Sequence, residues 1–185
     1  TPLGGSAAAQ PEAFARNLHR AIVELEDSGL GFAALILDPL FANEGLPDLP
    51  SGFLDPAMVA VRRARGLIIA DEVQTGFGRV GSHFWGHQMM GLTPDIVTLG
   101  KPMGNGYPVA GVVTRPEIMA EFRETFRYFN TFGGNPVAMA AASAVLDVIQ
   151  TEGLIDNARQ TGAYLGKLLA ALDHPLIAES RGRGL

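Results

Sequence analysis

The sequence predicts an α/β protein with a mostly parallel sheet and flanking helices, on three observations. Short apolar runs, Phe32 to Leu37, Leu67 to Ala70 and Ile96 to Leu99, alternate with stretches of helical periodicity. The first two runs are apolar at every position, the pattern of strands covered on both faces. Each of the three also meets an ionisable residue within two positions of its end: Asp38, Asp71 and Lys101. The C-terminal edge of such a sheet is where ligands collect.

Residues 11 to 27 predict an amphipathic helix, with Phe14, Leu18, Ile22 and Leu25 inside and Pro11 in the first turn. Gly29 and Gly31 end it. The first strand, Phe32 to Leu37, runs into Asp38-Pro39. Residues 40 to 54 carry Gly45, Pro47, Pro50 and Gly52 and read as an irregular loop, with Glu44 as its acid. A helix over 55–65 turns Met58, Val59 and Val61 inward. It gathers Arg62, Arg63 and Arg65 near its C-terminus, which suits the helix dipole. The second strand, Leu67 to Ala70, enters Asp71-Glu72, and Gly76 and Gly78 then turn the chain. Helix, strand, helix, strand is the order of right-handed parallel crossovers.

Ser82 to Met90 predict a short helix capped by Ser82. Pro94-Asp95 leads to the third strand, Ile96 to Leu99, followed by the Gly100–Gly106 turn that carries Lys101. A fourth strand, Val109 to Thr114, precedes a helix from Pro116 to about Phe122. Tyr128 to Pro136 form a glycine-containing turn. The long helix that begins there has an inner stripe of Val137, Ala140, Ala141, Ala144, Val145 and Val148, small enough to demand close packing. Glu152-Gly153 break it. A last helix, about 154 to 172, carries Leu154, Ala158, Leu165, Leu168 and Leu172. A domain border is expected near 151, dividing 1–150 from 151–185.

Composition narrows the function. Hydrophobic residues make up 47% of the 185, enough for a sizeable core. Net charge is −5 and the 14 Lys and Arg form no run, so no nucleic-acid surface is expected. There is no cysteine, which excludes disulfides and thiolate chemistry and fits a cytoplasmic protein. No apolar run reaches the roughly 20 residues that cross a bilayer. Thr1 to Gln10 lack the basic region of a signal peptide. The chain starts without Met and stops at Arg181-Gly-Arg-Gly-Leu185, so it is expected to be a piece of a longer protein.

Asp71 and Lys101 lie 30 residues apart, one crossover unit, so they fit neighbouring parallel strands that face one crevice. A lysine at a buried strand end titrates easily and suits a Schiff base. An aspartate in the same crevice that does not pair with it suits a protonated heterocyclic nitrogen. Together they fit pyridoxal phosphate, whose ring acts as an electron sink.

Three motifs carry a resemblance. Ala70-Asp-Glu-Val-Gln-Thr-Gly-Phe-Gly-Arg79, Pro94-Asp-Ile-Val-Thr-Leu-Gly-Lys101 and Asn130-Thr-Phe-Gly-Gly-Asn-Pro136 resemble, in order and spacing, the class III pyridoxal-phosphate-dependent aminotransferases of fold type I. The resemblance implies the central part of the large domain at 1–150. At 151–185 it implies an interdomain helix and the start of the C-terminal small domain. It implies that Asp71 pairs with the pyridine nitrogen, that Val73 packs on the ring and that Gln74 bonds near its phenolic oxygen. Lys101 would form the Schiff base and shuttle the proton. Thr131 would bind the phosphate, in the family from the other subunit of a homodimer. Amine or amino acid and keto acid or aldehyde are the substrates this implies.

Departures keep alternatives open. Asp38-Pro39 stands where the family usually has Glu-Pro, and the loop after it differs. Gly78 to Trp85 and Tyr107 to Ala110 resemble the ethanolamine-phosphate phospholyase branch, which eliminates phosphate with the same cofactor. The family's N-terminal phosphate-binding loop has no counterpart, so a truncated, catalytically silent chain is the third reading. Taken alone, Lys101 is a loop lysine beside glycines, and Glu72 reads as salt-bridged or capping. Arg79 reads as a surface charge. His83 and His87, four apart, lack a third metal ligand, and no metal is expected. Phe84-Trp85 and Met89-Met90 read as core. Phe126, Tyr128 and Phe129 fit either core or a dimer interface.

Overall fold

The computed structural model describes residues 10–185. Thr1 to Ala9, most of the stretch read above for a signal peptide, lie outside the described residues. The elements are α1 (Gln10–Asp27), β1 (Ala34–Leu37), α2 (Asp55–Arg63), β2 (Leu67–Asp71), α3 (Gly86–Met89), β3 (Ile96–Leu99), β4 (Gly111–Thr114), α4 (Pro116–Thr125), α5 (Pro136–Thr151) and α6 (Leu154–Ala170). The sheet order is β1-β2-β3-β4. The first three strands are parallel and β4 runs antiparallel to β3.

Two apolar clusters hold the sheet. Leu37, Phe53, Leu54 and Leu92 form one, with Phe14, Phe41 and Met58 against it. Phe14, Phe41 and Phe53 meet with ring centroids 5.5 to 6.3 Å apart. Phe77, Leu99 and Ile149 form the other, joined by Phe84, Trp85, Met103 and Val145. At the start of the strands, buried Asp95 ties the layers. Its carboxylate accepts from Arg62 of α2 and from the Ile68 amide at 2.7 Å, and it pairs with Arg115 at 3.2 Å. Burial pushes this carboxyl up, but the Arg62 hydrogen bond, the Ile68 amide and both arginine charges hold it below the usual range.

Several expectations are corrected. The helix over 82–90 shrinks to Gly86–Met89, and Ser82 does not cap it. Glu72 does so from the loop after β2, because Gly86 N and His87 N both donate to its carboxylate. Val59 of α2 faces out, and Ala57 and Val61 are the buried pair. On α5 the buried face is Ala138, Ala142 and Ile149, while Val137 and Val148 of the predicted stripe are exposed. Leu25 of α1 and Leu165, Leu168 and Leu172 toward the C-terminus lie exposed, since no described element covers them. The strands are not covered on both faces throughout: Ile36 is 59% exposed, and Val112 and Val113 of the edge strand β4 are 58% and 57% exposed. Phe126, Tyr128 and Phe129 are exposed too, which removes the core reading for them. No single described helix is long and apolar enough to cross a membrane.

Candidate active site

Strand register brings the predicted residues to one edge. Leu37 pairs with Ala70 and Asp71 pairs with Thr98. Asp38, one residue past Leu37, therefore stands beside Asp71, and Lys101 follows three residues after Thr98. Asp38, Asn43, Asp71, Val73, Gln74 and Lys101 line one cavity of about 230 Å³.

Each side chain is positioned locally. Asp71 Oδ1 accepts from the Val73 amide at 3.0 Å and from Thr98 Oγ1 at 3.2 Å. No cation pairs with Asp71 among the described residues. The Asp38 oxygens accept from the Leu40 and Ala42 amides, each at 2.9 Å, which folds the start of the loop around this carboxylate. Burial raises the Asp38 pKa, the two amides oppose this, and the Asp71 and Glu44 charges add to the rise. Gln74 Nε2 donates to Asn43 Oδ1 at 3.1 Å. Gly100 has no Cβ where one would press on the Val73 methyls at 3.2 Å, so Val73 sits close under the Lys101 turn.

Glu72 is fully buried behind this edge. It accepts from Thr75 Oγ1 at 2.6 Å, Gly86 N at 2.9 Å and His87 N at 2.7 Å, and pairs with His87 Nδ1 at 2.8 Å. Burial raises its pKa, but the His87, Thr75 and amide bonds outweigh that and lower it. The structural reading of Glu72 from sequence is thus realised as a helix cap, and His87 is engaged with it.

Two expectations meet a different geometry. Lys101 is exposed, because the Gly100–Gly106 turn carries it clear of the strands and no described element covers it. Thr131 is exposed in the loop between α4 and α5 and is not among the cavity's lining residues. Asn130 shapes that loop by accepting from the Phe132 and Gly133 amides at 3.1 and 2.9 Å. Sequence reasoning missed Thr98, Asn43 and the closeness of Asp38 to Asp71. Thr98 carried a signal, as the one polar residue in its strand. Asn43 carried none.

The lining fits a flat, cationic heterocycle. Asp71, without a cation partner among the described residues, lines the cavity, Val73 offers an apolar surface, Asn43 and Gln74 offer polar contact, and Lys101 brings a primary amine.

The chain matches the family described as "Aminotransferase class-III" over residues 5–185. It belongs to the class III aminotransferases. Human alanine--glyoxylate aminotransferase 2, mitochondrial, is 46% identical over 155 residues, which cover 83% of this chain and 30% of that protein. Ethanolamine-phosphate phospho-lyase homolog 1 of Caenorhabditis elegans is 43% identical over 166 residues, covering 88% of this chain and 36% of that one. A solved phospholyase from Arthrobacter in complex with phosphoethanolamine superposes with a TM-score of 0.83 at 45% identity, over 90% of this chain and 40% of that one. A thermostable omega transaminase from Pseudomonas jessenii superposes at 0.87 with 34% identity, over 98% and 42%. This class III chain therefore spans about a third of the length of the curated relatives it matches, and its mostly parallel sheet is part of their common fold.

Proposed function

We propose that the chain carries the pyridoxal-phosphate edge of an aminotransferase that moves an amino group from an amine or amino acid to a keto acid or aldehyde. The observation that supports this best is the shared cavity of Asp71 and Lys101, with no cation paired to Asp71 among the described residues. The Asp71 carboxylate holds the proton on the ring nitrogen, Val73 supports the ring face, and Gln74 supplies polar contact near the phenolic oxygen. When bound, the cofactor supplies an electron sink that stabilises negative charge at the carbon bearing the amine. Lys101 Nζ would tether the cofactor at rest and, once the substrate amine has displaced it, would carry the proton removed from that carbon. Its exposure in this chain leaves water exclusion to chain that lies outside 10–185 or to a second subunit.

We assign Thr131 to the phosphate of a partner subunit's cofactor, in a homodimer. Its absence from the chain's own cavity lining and the exposed Phe126, Tyr128, Phe129 and Phe132 support that. A cytoplasmic location belongs to the proposal on the cysteine-free composition, and cell fractionation tests it.

The phospholyase reading is favoured by two of the similar proteins, one of them 45% identical. There Lys101 removes a proton and phosphate leaves. Product analysis separates the readings. A transaminase consumes keto acid and amine in equal amounts. Phosphate and ammonia released without a keto acid would replace it by the phospholyase. No turnover with cofactor bound would mean a silent piece.

A further inference from the structure

Two carboxylates meet at the cofactor edge, and the proposed function uses only one of them. Leu37 pairs with Ala70, so Asp38 and Asp71 leave adjacent parallel strands side by side, with the strands about 4.8 Å apart. Both line the cavity that Lys101 also lines. Among the described residues Lys101 is the only basic one in that lining, and in the proposed function it is committed to the cofactor's aldehyde. Two negative charges then face the cavity with no basic side chain left to balance them. The charged groups that face Asp38 are Asp71 at the end of β2, Glu44 in the loop after β1 and Lys101 in the Gly100–Gly106 turn.

Both carboxylates are held in place by neutral donors. The Asp38 oxygens accept from the Leu40 and Ala42 amides, each at 2.9 Å, and Pro39 beside it is fully buried. Asp71 accepts from the Val73 amide and the Thr98 hydroxyl. Amide donors on both oxygens favour the ionised form of Asp38. Burial works against that form, and the Asp71 and Glu44 charges add to the cost. A cation in the cavity relieves the cost, whereas a neutral ligand does not.

We infer that Asp38 is a positioning residue for the proton on the ring nitrogen: it acts through Asp71, which makes the contact, and its charge keeps the proton in place to a higher pH than Asp71 alone would. This rests on the reading of Asp71 given above. A unit charge at this range in a half-buried cavity moves the release of the proton by about one pH unit. The sign follows from the charge. Removing a carboxylate takes away attraction for the cation, so release shifts to lower pH.

Pyridoxal phosphate carrying an isotope label at the ring nitrogen tests this without any turnover. Its nitrogen NMR shift, followed on the loaded chain from neutral to alkaline pH, separates a protonated ring nitrogen from a bare one. D38N is expected to release the proton about one pH unit below wild type, and D38E, which keeps the charge, to release it with wild type. Equal release in wild type and D38N overturns the inference. So does a shift in D38E as large as that in D38N, because the loop's shape would then be the cause. Carboxyl NMR of Asp38 reads the same coupling and stands even where D38N does not fold. In the cofactor-free chain D71N should lower the pH at which Asp38 ionises, and bound cofactor should lower it in wild type. An Asp38 titration indifferent to both overturns the inference. Failure of the chain to bind pyridoxal phosphate sinks the proposed function together with this role. Binding with an unmoved ring nitrogen in D38N sinks this role alone.

Discussion

Thr98 Oγ1 donates to Asp71 Oδ1 at 3.2 Å, across the last register pair of β2 and β3. The hydroxyl fixes the carboxylate that the proposed function needs at the ring nitrogen. Thr98→Val keeps the shape of the strand and removes the donor. Pyridoxal phosphate affinity is expected to fall several-fold, with a stability loss of about 1 kcal/mol. Absorbance titration and urea denaturation measure the two effects.

Glu72 gives the pH dependence its sign. Its folded pKa lies below the ordinary glutamate value of 4.5. The ionised form is therefore favoured in the folded state, and its contribution is present above that value. It is lost as pH falls from there through the depressed folded pKa. Glu72→Gln is expected to cost about 2 to 3 kcal/mol at neutral pH, since the α3 cap and the His87 pair both weaken. The acid side of the variant's stability profile should be flatter than that of wild type. Equal slopes for the two proteins as pH falls below 4.5 would remove this role.

Asp95 is a buried charge with two arginines. Arg62→Met leaves it with Arg115 and the Ile68 amide only. The Arg62 side chain is 43% exposed and Arg115 remains, so the loss is expected to be about 1 to 2 kcal/mol, less than for a fully buried pair. The same Arg62 substitution made in an Asp95→Asn background should cost much less, and a double-mutant cycle by urea denaturation reads the difference.

How far these features were legible in sequence follows from what each depends on. The β-strands and the edge carrying Asp71 could be read because consecutive apolar residues and their ends are local facts. The pairing of β2 with β3 followed from the 30-residue spacing. The α3 cap was misassigned because Ser82 is near in sequence, whereas Glu72 reaches Gly86 across 14 residues. The face of α5 was misjudged for a different reason, and Val137 and Val148 of its expected inner stripe are exposed. Apolar periodicity marks surface that seeks cover, and Leu165, Leu168 and Leu172 are apolar without being covered by any described element. The contact of Leu185 with the Arg79 turn carried no signal, because the two lie over a hundred residues apart in sequence.

The exposed aromatic loop sets up a test of assembly. Phe129 and Phe132 are 85% and 79% exposed. Phe129→Asp with Phe132→Asp should change stability by no more than about 0.5 kcal/mol, yet shift sedimentation from dimer to monomer. A wild-type chain that sediments as a monomer at high concentration would contradict the homodimer for this chain.

The central claim is that Lys101 is the amine that takes the cofactor. The sequence has two lysines, Lys101 and Lys167, which makes the outcome easy to read. The chain is incubated with pyridoxal phosphate, reduced with borohydride, digested, and the modified peptide mapped by mass spectrometry. The expected result is one cofactor per chain on Lys101, lost in Lys101→Ala and reduced in Asp71→Ala. Label on Lys167 alone, or none on Lys101 at saturating cofactor, would contradict the account.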